Sequence, residues 1–81
     1  MKRRVELYGR LRDAGLGASV ALDLPSRATG RQALAALKLA LGRREALLAG
    51  CALATDDVIL ALNDVLPENG RLAALPPVCG G

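Results

Sequence analysis

Histidine is absent from the chain, and so are tryptophan and phenylalanine. The commonest general base and the commonest zinc ligand are therefore both missing. Ser19 and Ser26 have no imidazole to activate them, which excludes a Ser-His triad. Tyr8 is the only aromatic residue, so a surface that stacks bases or flat ligands on rings is not expected. Cysteine occurs twice, at Cys51 and Cys79, with no CxxC spacing, and two thiols make no metal site without other ligands. No stretch reaches the roughly 18 uninterrupted apolar residues of a membrane span. The opening "MKRRVELYG" turns into an alternating pattern, with no apolar run of signal-peptide length. A cytoplasmic protein with reduced thiols and no membrane partner is expected.

What is present is material for one small core. The chain has 81 residues, 52% of them hydrophobic and nearly all of those Ala, Leu or Val. That length allows a single domain. Eleven basic residues stand against eight acidic ones for a net charge of +3. Seven of the basic residues fall in separate groups, Lys2-Arg3-Arg4, Arg10 with Arg12, and Arg43-Arg44, interrupted by acids, and the other four stand singly. A nucleic-acid binder calls for a longer unbroken stripe, so no nucleic-acid partner is expected.

In "RRVELYG", Val5 and Leu7 alternate with Arg4, Glu6 and Tyr8, the period of a half-buried strand. Gly15 and Gly17 supply turn chemistry in "RLRDAGLGAS", with Leu11 reaching back to the core. "VALDLP" is a second strand with Val20, Leu22 and Leu24 on one face, stopped by Pro25. Thr29 is the expected N-cap of a helix, and Gln32 completes a capping box. Leu34, Leu37 and Leu41, with Ala33 and Ala40 beside them, form its apolar stripe; Leu39 lies off it and Gly42 ends it. "REALLAG" is a further helical turn or a packed loop. Two short strands flank Asp56-Asp57, which read as a solvated turn. "ALNDVLPENG" is turn-rich, and "RLAAL" is a last strand, cut off by Pro76-Pro77.

A hairpin, a helix and then more strands imply an α+β protein, one mixed sheet with one main helix on one face. Pairing the last strand beside the first, parallel and central, gives a β-grasp; other α+β arrangements of the same elements remain open at this level. The division expected is a domain over 1–75 and an extended, flexible tail over 76–81.

No internal constellation looks catalytic, and "AGLGAS" leads into a strand rather than a helix, so it fails as a phosphate loop. The tail "PPVCGG" is different. Pro76 and Pro77 cannot join a sheet ladder and stiffen the exit. Val78 favours an extended chain. Gly80 and Gly81 pass through a channel too narrow for any side chain. An unshielded α-carboxylate on such a lead is suited to attack on the α-phosphate of ATP in another protein, followed by displacement of AMP by a sulfur or nitrogen nucleophile.

The segment "LAALPPVCGG", Leu72 to Gly81, resembles the C-terminal signature of the molybdopterin synthase small subunit, a ubiquitin-like β-grasp sulfur carrier. "RLRDAG" after the first strand, the Leu-Asp-Leu-Pro second strand and the Asn-Gly turn before the last agree with it, and the likeness covers essentially the whole chain. The resemblance implies no active site of the chain's own and no bound cofactor. ATP and a sulfur donor would be used by an adenylating, ubiquitin-activating-type partner, which turns the Gly81 carboxylate into a thiocarboxylate. A large synthase subunit, in a heterotetramer of two small and two large chains, would use that sulfur to build the dithiolene of molybdopterin. Pro76, Pro77, Val78, Cys79 and Gly80 would be the recognised tail, and the sheet face at Leu72 and Leu75 the partner surface.

This sequence departs from the family pattern at Cys79, where serine is common, and at Asp56-Asp57, where many relatives have Asn-Gly. Attack by the Cys79 sulfur on the Gly81 carbonyl would close a ring of about ten atoms holding two trans amides, which forfeits the advantage of intramolecular attack. Cys79 is read as a small tail residue and Cys51 as a small hydrophobe near the core. Carriers for thiamine, cysteine or tRNA thiolation and ubiquitin-like protein modifiers share the same chain end. An interaction domain with an inert tail is the alternative of another class.

Overall fold

The computed structural model describes residues 2–76. Strand β1 (Lys2–Leu7) and strand β2 (Ser19–Asp23) form an antiparallel pair with Val5 opposite Val20. Their connection is a 3-10 helix over Gly9–Ala14, whose Leu11 is fully buried as expected. Helix α1 (Gly30–Leu41) follows, then a second 3-10 segment over Gly42–Leu48, so "REALLAG" is helical in its first part. Strands β3 (Ala52–Ala54) and β4 (Ile59–Leu60) flank the turn at Asp56-Asp57, and β5 (Leu72–Leu75) comes last.

The sheet order is β2-β1-β5-β3-β4. β5 lies in the middle, parallel to β1 with Val5 opposite Leu72, and antiparallel to β3 with Leu53 opposite Ala74. Alternation then decides which side chains go inward. Val5, Leu7, Leu53, Leu72 and Ala74 all point to the helix face and are at most 2% exposed. Ala33, Leu37 and Leu41 of α1 close that core from above. Each large side chain fully buried here contributes on the order of 1.5–3 kcal/mol relative to exposure.

The helix starts where the sequence places it. Thr29 Oγ1 accepts a hydrogen bond from the Gln32 N–H at 3.3 Å, and Gln32 Oε1 accepts one from the Thr29 N–H at 2.9 Å. The first turn of any helix leaves N–H groups without partners. Here the loop before β5 takes two of them, with Gly30 donating to Asp64 O and Arg31 to Leu62 O, both at 2.9 Å. That contact is close. A Cβ on Gly30 would meet Ala61 O at 2.7 Å, so only glycine fits there. At the other end the Gly42 N–H donates to the Leu39 and Lys38 carbonyls.

The apolar stripe needs one correction. Its buried positions are Gly30, Ala33, Leu37 and Leu41; Leu34 is half-buried and Ala40 is exposed. At 100° per residue both Leu34 and Ala40 sit about 60° round from Leu37, on the flanks of the contact. Leu39 is 83% exposed, in accord with its place off the stripe.

Among the described residues no helix is long and apolar enough to cross a membrane. No group of three or more His, Cys, Asp and Glu side chains among them could hold a metal ion.

Candidate functional site

The site is the place where β5 gives way to the tail. Because β5 is central, its end is flanked on both sides. Leu7 lies opposite Ala74 on the parallel side, and Ala52 opposite Leu75 on the antiparallel side. Continued along the chain, those registers bring Gly9 and Cys51 level with Pro76. Pro76 is half-buried. Pro77, Val78, Cys79, Gly80 and Gly81, the rest of the expected recognition tail, lie outside the described residues.

Of the two leucines expected at the partner surface, the structure separates one from the other. Leu72 is 1% exposed and belongs to the core. Its pairing with Val5 turns it toward α1, so it supports the face from beneath and cannot touch a partner. Leu75 has the opposite parity and is half-exposed on the outer face, with Ala73 beside it.

Across that outer face, register places Glu6 opposite Ala73, Ala73 opposite Ala54, and Ala54 opposite Ile59. The row is charged at one end, small in the middle and apolar at the far end, where Ile59 is 68% exposed. A surface hollow of about 240 Å³ opens over the row from Glu6 to Ala54, with Ala54, Ala73 and Leu75 in its floor, Glu6, Tyr8 and Arg71 on one side and Thr55 and Asp56 also lining it.

Glu6, Tyr8 and Arg71 form one hydrogen-bonded unit. Arg71 Nε donates to Glu6 Oε2 at 2.8 Å and Arg71 Nη2 to Glu6 Oε1 at 3.0 Å, a two-pronged match of guanidinium to carboxylate. Tyr8 Oη donates to Glu6 Oε1 at 2.6 Å. These bonds favour the ionised carboxylate, the one from Arg71 most and that from Tyr8 next, and hold the Glu6 pKa down at about 2. The same bond to Glu6 pushes the Tyr8 phenol up, because the phenol would lose it on ionising. Arg12 donates from Nε to Leu7 O at 3.0 Å, and its guanidinium carbon lies 5.7 Å from the Tyr8 ring centre. Tyr8 is thereby fixed at its hydroxyl and across its face.

Cys51 is half-buried, with Sγ donating to Leu47 O at 3.3 Å, and burial pushes its thiol up from the ordinary value. This is the behaviour of a small packed residue rather than a reactive thiol. Asp56 and Asp57 are exposed in a turn closed by the Thr55 N–H donating to Val58 O at 2.8 Å. Glu6, Tyr8, Gly9 and Arg71 are site residues that reading the sequence does not single out. Only the alternation of "RRVELYG", which puts Glu6 and Tyr8 on one outward face, hints at two of them.

No protein-family model matches the sequence, and no curated protein matches it. Solved structures match in shape. SAMP1 from Haloferax volcanii superposes with a TM-score of 0.72 at 24% identity, over 100% of both chains. A crystal structure of H. volcanii small archaeal modifier protein 1 gives 0.69 at 23% identity, covering 93% of this chain and 95% of that one. A Pyrococcus furiosus protein described as molybdopterin converting factor subunit 1 gives 0.67 at 17% identity, covering 96% of this chain and 99% of that one. The shared shape, with its central parallel last strand and single main helix, is the ubiquitin-like β-grasp fold, and this chain has it.

Proposed function

We propose that the chain is a sulfur carrier, modified at Gly81, which serves as the small subunit of a molybdopterin synthase. The observation that carries this reading is the joining of two features. A central β-grasp strand runs directly into Pro76, and the sequence from there on is Pro-Pro-Val-Cys-Gly-Gly. The domain offers a surface beside the strand end, and the tail offers a carboxylate.

The chemistry is balanced in two steps. The Gly81 carboxylate attacks the α-phosphorus of ATP, releasing pyrophosphate and leaving an acyl-adenylate. Hydrosulfide, the simplest sulfur donor, then attacks the acyl carbon; the C–S bond forms as the bond to AMP breaks, a proton is released, and the carboxylate has become a thiocarboxylate with one oxygen replaced by sulfur. ATP and the donor belong to the adenylating partner. The large synthase subunit takes the sulfur for the dithiolene, so the carrier acts as a cosubstrate. Ala73 and Leu75, framed by Glu6, Tyr8 and Arg71, are the surface by which such partners would hold the domain.

The test is intact-mass spectrometry. The chain is first shown to end at Gly81, then incubated with a β-grasp activating enzyme, ATP and a sulfur donor. A gain of about 16 Da at Gly81 is expected from nucleophilic displacement of AMP by sulfur. Absence of any gain with every cognate activating enzyme overturns the reading.

The likeness to small archaeal modifier protein 1 supports a second reading, transfer of the activated Gly81 to lysines of other proteins. Conjugates linked through Gly81 in cell extract would favour it. A thiocarboxylate without conjugates favours the carrier.

A further inference from the structure

Gly9 lies level with Pro76, which is one residue beyond the end of β5. It opens the 3-10 helix after β1 with φ +60°, in the left-handed region that L side chains avoid. A Cβ built there would stand 2.9 Å from Pro76 Cγ and 3.3 Å from Pro76 Cβ. The prolyl ring thus fills the space that a side chain on residue 9 would need.

The neighbours explain why this contact matters. A proline has no N–H, so the sheet ladder cannot hold the chain at residue 76 through that group. On the β3 side the level residue is Cys51, whose Sγ is engaged with Leu47 O. On the β1 side the Pro76 ring sits against the bare backbone of Gly9, and this seat is a contact that can orient the chain as it leaves β5. We propose that Gly9 is a positioning residue: its missing side chain seats Pro76 and so sets the direction in which the tail leaves the sheet. Its effect on modification rests on the sulfur-carrier reading; its effect on direction does not.

Substitution at Gly9 brings two separable penalties, backbone strain from the positive φ and collision with the ring. Pro76→Ala removes the 2.9 Å contact at Cγ and leaves the milder one with Cβ at 3.3 Å, so it relieves most of the second penalty and none of the first. The experiment is therefore a double-mutant cycle of Gly9→Ala and Pro76→Ala. One readout needs no partner. In a Cys51→Ala background a nitroxide is attached at Cys79, and the paramagnetic broadening of the Arg10 to Ala14 amides is measured. The other is kcat/KM for ATP-dependent modification by the activating enzyme, beside a thermal unfolding curve.

Gly9→Ala is expected to change the broadening pattern and to lower kcat/KM about tenfold or more, the scale of loss that a displacement of about 1 Å brings to a reacting group. In the Pro76→Ala background the same substitution should cost less than about threefold, while the unfolding temperature, which feels strain in both backgrounds and collision in only one, should fall no more there than in the wild type. An equal loss in both backgrounds assigns everything to strain and overturns the proposal, as does an unchanged broadening pattern. If Gly9→Ala does not fold, Pro76→Ala alone decides it. Removal of the ring should change the broadening pattern, and an unchanged pattern overturns the proposal. A chain that no enzyme modifies would sink the carrier reading and leave the broadening test intact.

Discussion

Glu6 on β1 and Arg71, the residue that leads into β5, are 65 residues apart in sequence and meet with Arg71 Nε 2.8 Å from Glu6 Oε2 and Nη2 3.0 Å from Oε1. The pair stands at the strand from which the tail departs and fixes Tyr8 as well, through the 2.6 Å bond from its hydroxyl.

That pair gives a pH dependence with a definite sign. The Glu6 pKa falls from its ordinary 4.5 to about 2 on folding. A depressed carboxylate contributes stability that is present above the unfolded value and lost as pH falls through the folded value. The gap in unfolding temperature between the wild type and Glu6→Gln should therefore be constant above about pH 5 and close between about pH 4.5 and 2. Thermal unfolding by circular dichroism across that range measures it; a gap at pH 2 as wide as the one at pH 5 contradicts the assignment.

The two leucines of β5 should behave oppositely. Leu72→Ala empties a sealed site and should cost about 2–5 kcal/mol of stability. Leu75→Ala should cost far less, yet Leu75→Asp should weaken binding to the activating enzyme at least about tenfold through loss of an apolar contact. Denaturant melts and binding isotherms on the same variants separate the roles.

The capping box offers a local check. Thr29→Ala removes the acceptor of the Gln32 N–H and should lower stability by about 1 kcal/mol. Adding Gln32→Ala should cost less than the sum of the two single changes, because each side chain braces the other. Urea unfolding of the four proteins tests both statements.

At the chain end, deletion of Gly81 should abolish the gain of about 16 Da expected on sulfur transfer while leaving the unfolding temperature unchanged. Cys79→Ser should leave the gain intact. Loss of modification in the serine variant would give Cys79 a chemical role.

Much of this arrangement is legible in the sequence because it is local. The hairpin, the Thr29 cap and the final "LAAL" strand between Gly70 and Pro76 are each set by neighbours a few residues apart. The parity of β5 is not. Leu72 and Leu75 are three apart, so one must face inward and one outward, and alternation cannot say which. The register with β1, Val5 against Leu72, decides it. The Glu6–Arg71 pair and the seat of Pro76 on Gly9 are invisible for the same reason: each joins residues that only the pairing of the first and last strands brings together. The glycine end of the tail stands out in sequence by composition alone, and it lies outside the described residues.

The central place of β5 also bears on what happens when the tail is pulled. A partner that draws Gly81 into a narrow channel applies tension along the strand axis. An edge strand loaded at one end can be stripped from its single neighbour bond by bond. β5 is bonded to β1 on one side and to β3 on the other, and a pull along its axis loads both seams in shear, so the hydrogen bonds of both resist together. The domain can be hauled on through its last strand without that strand being unthreaded from the sheet.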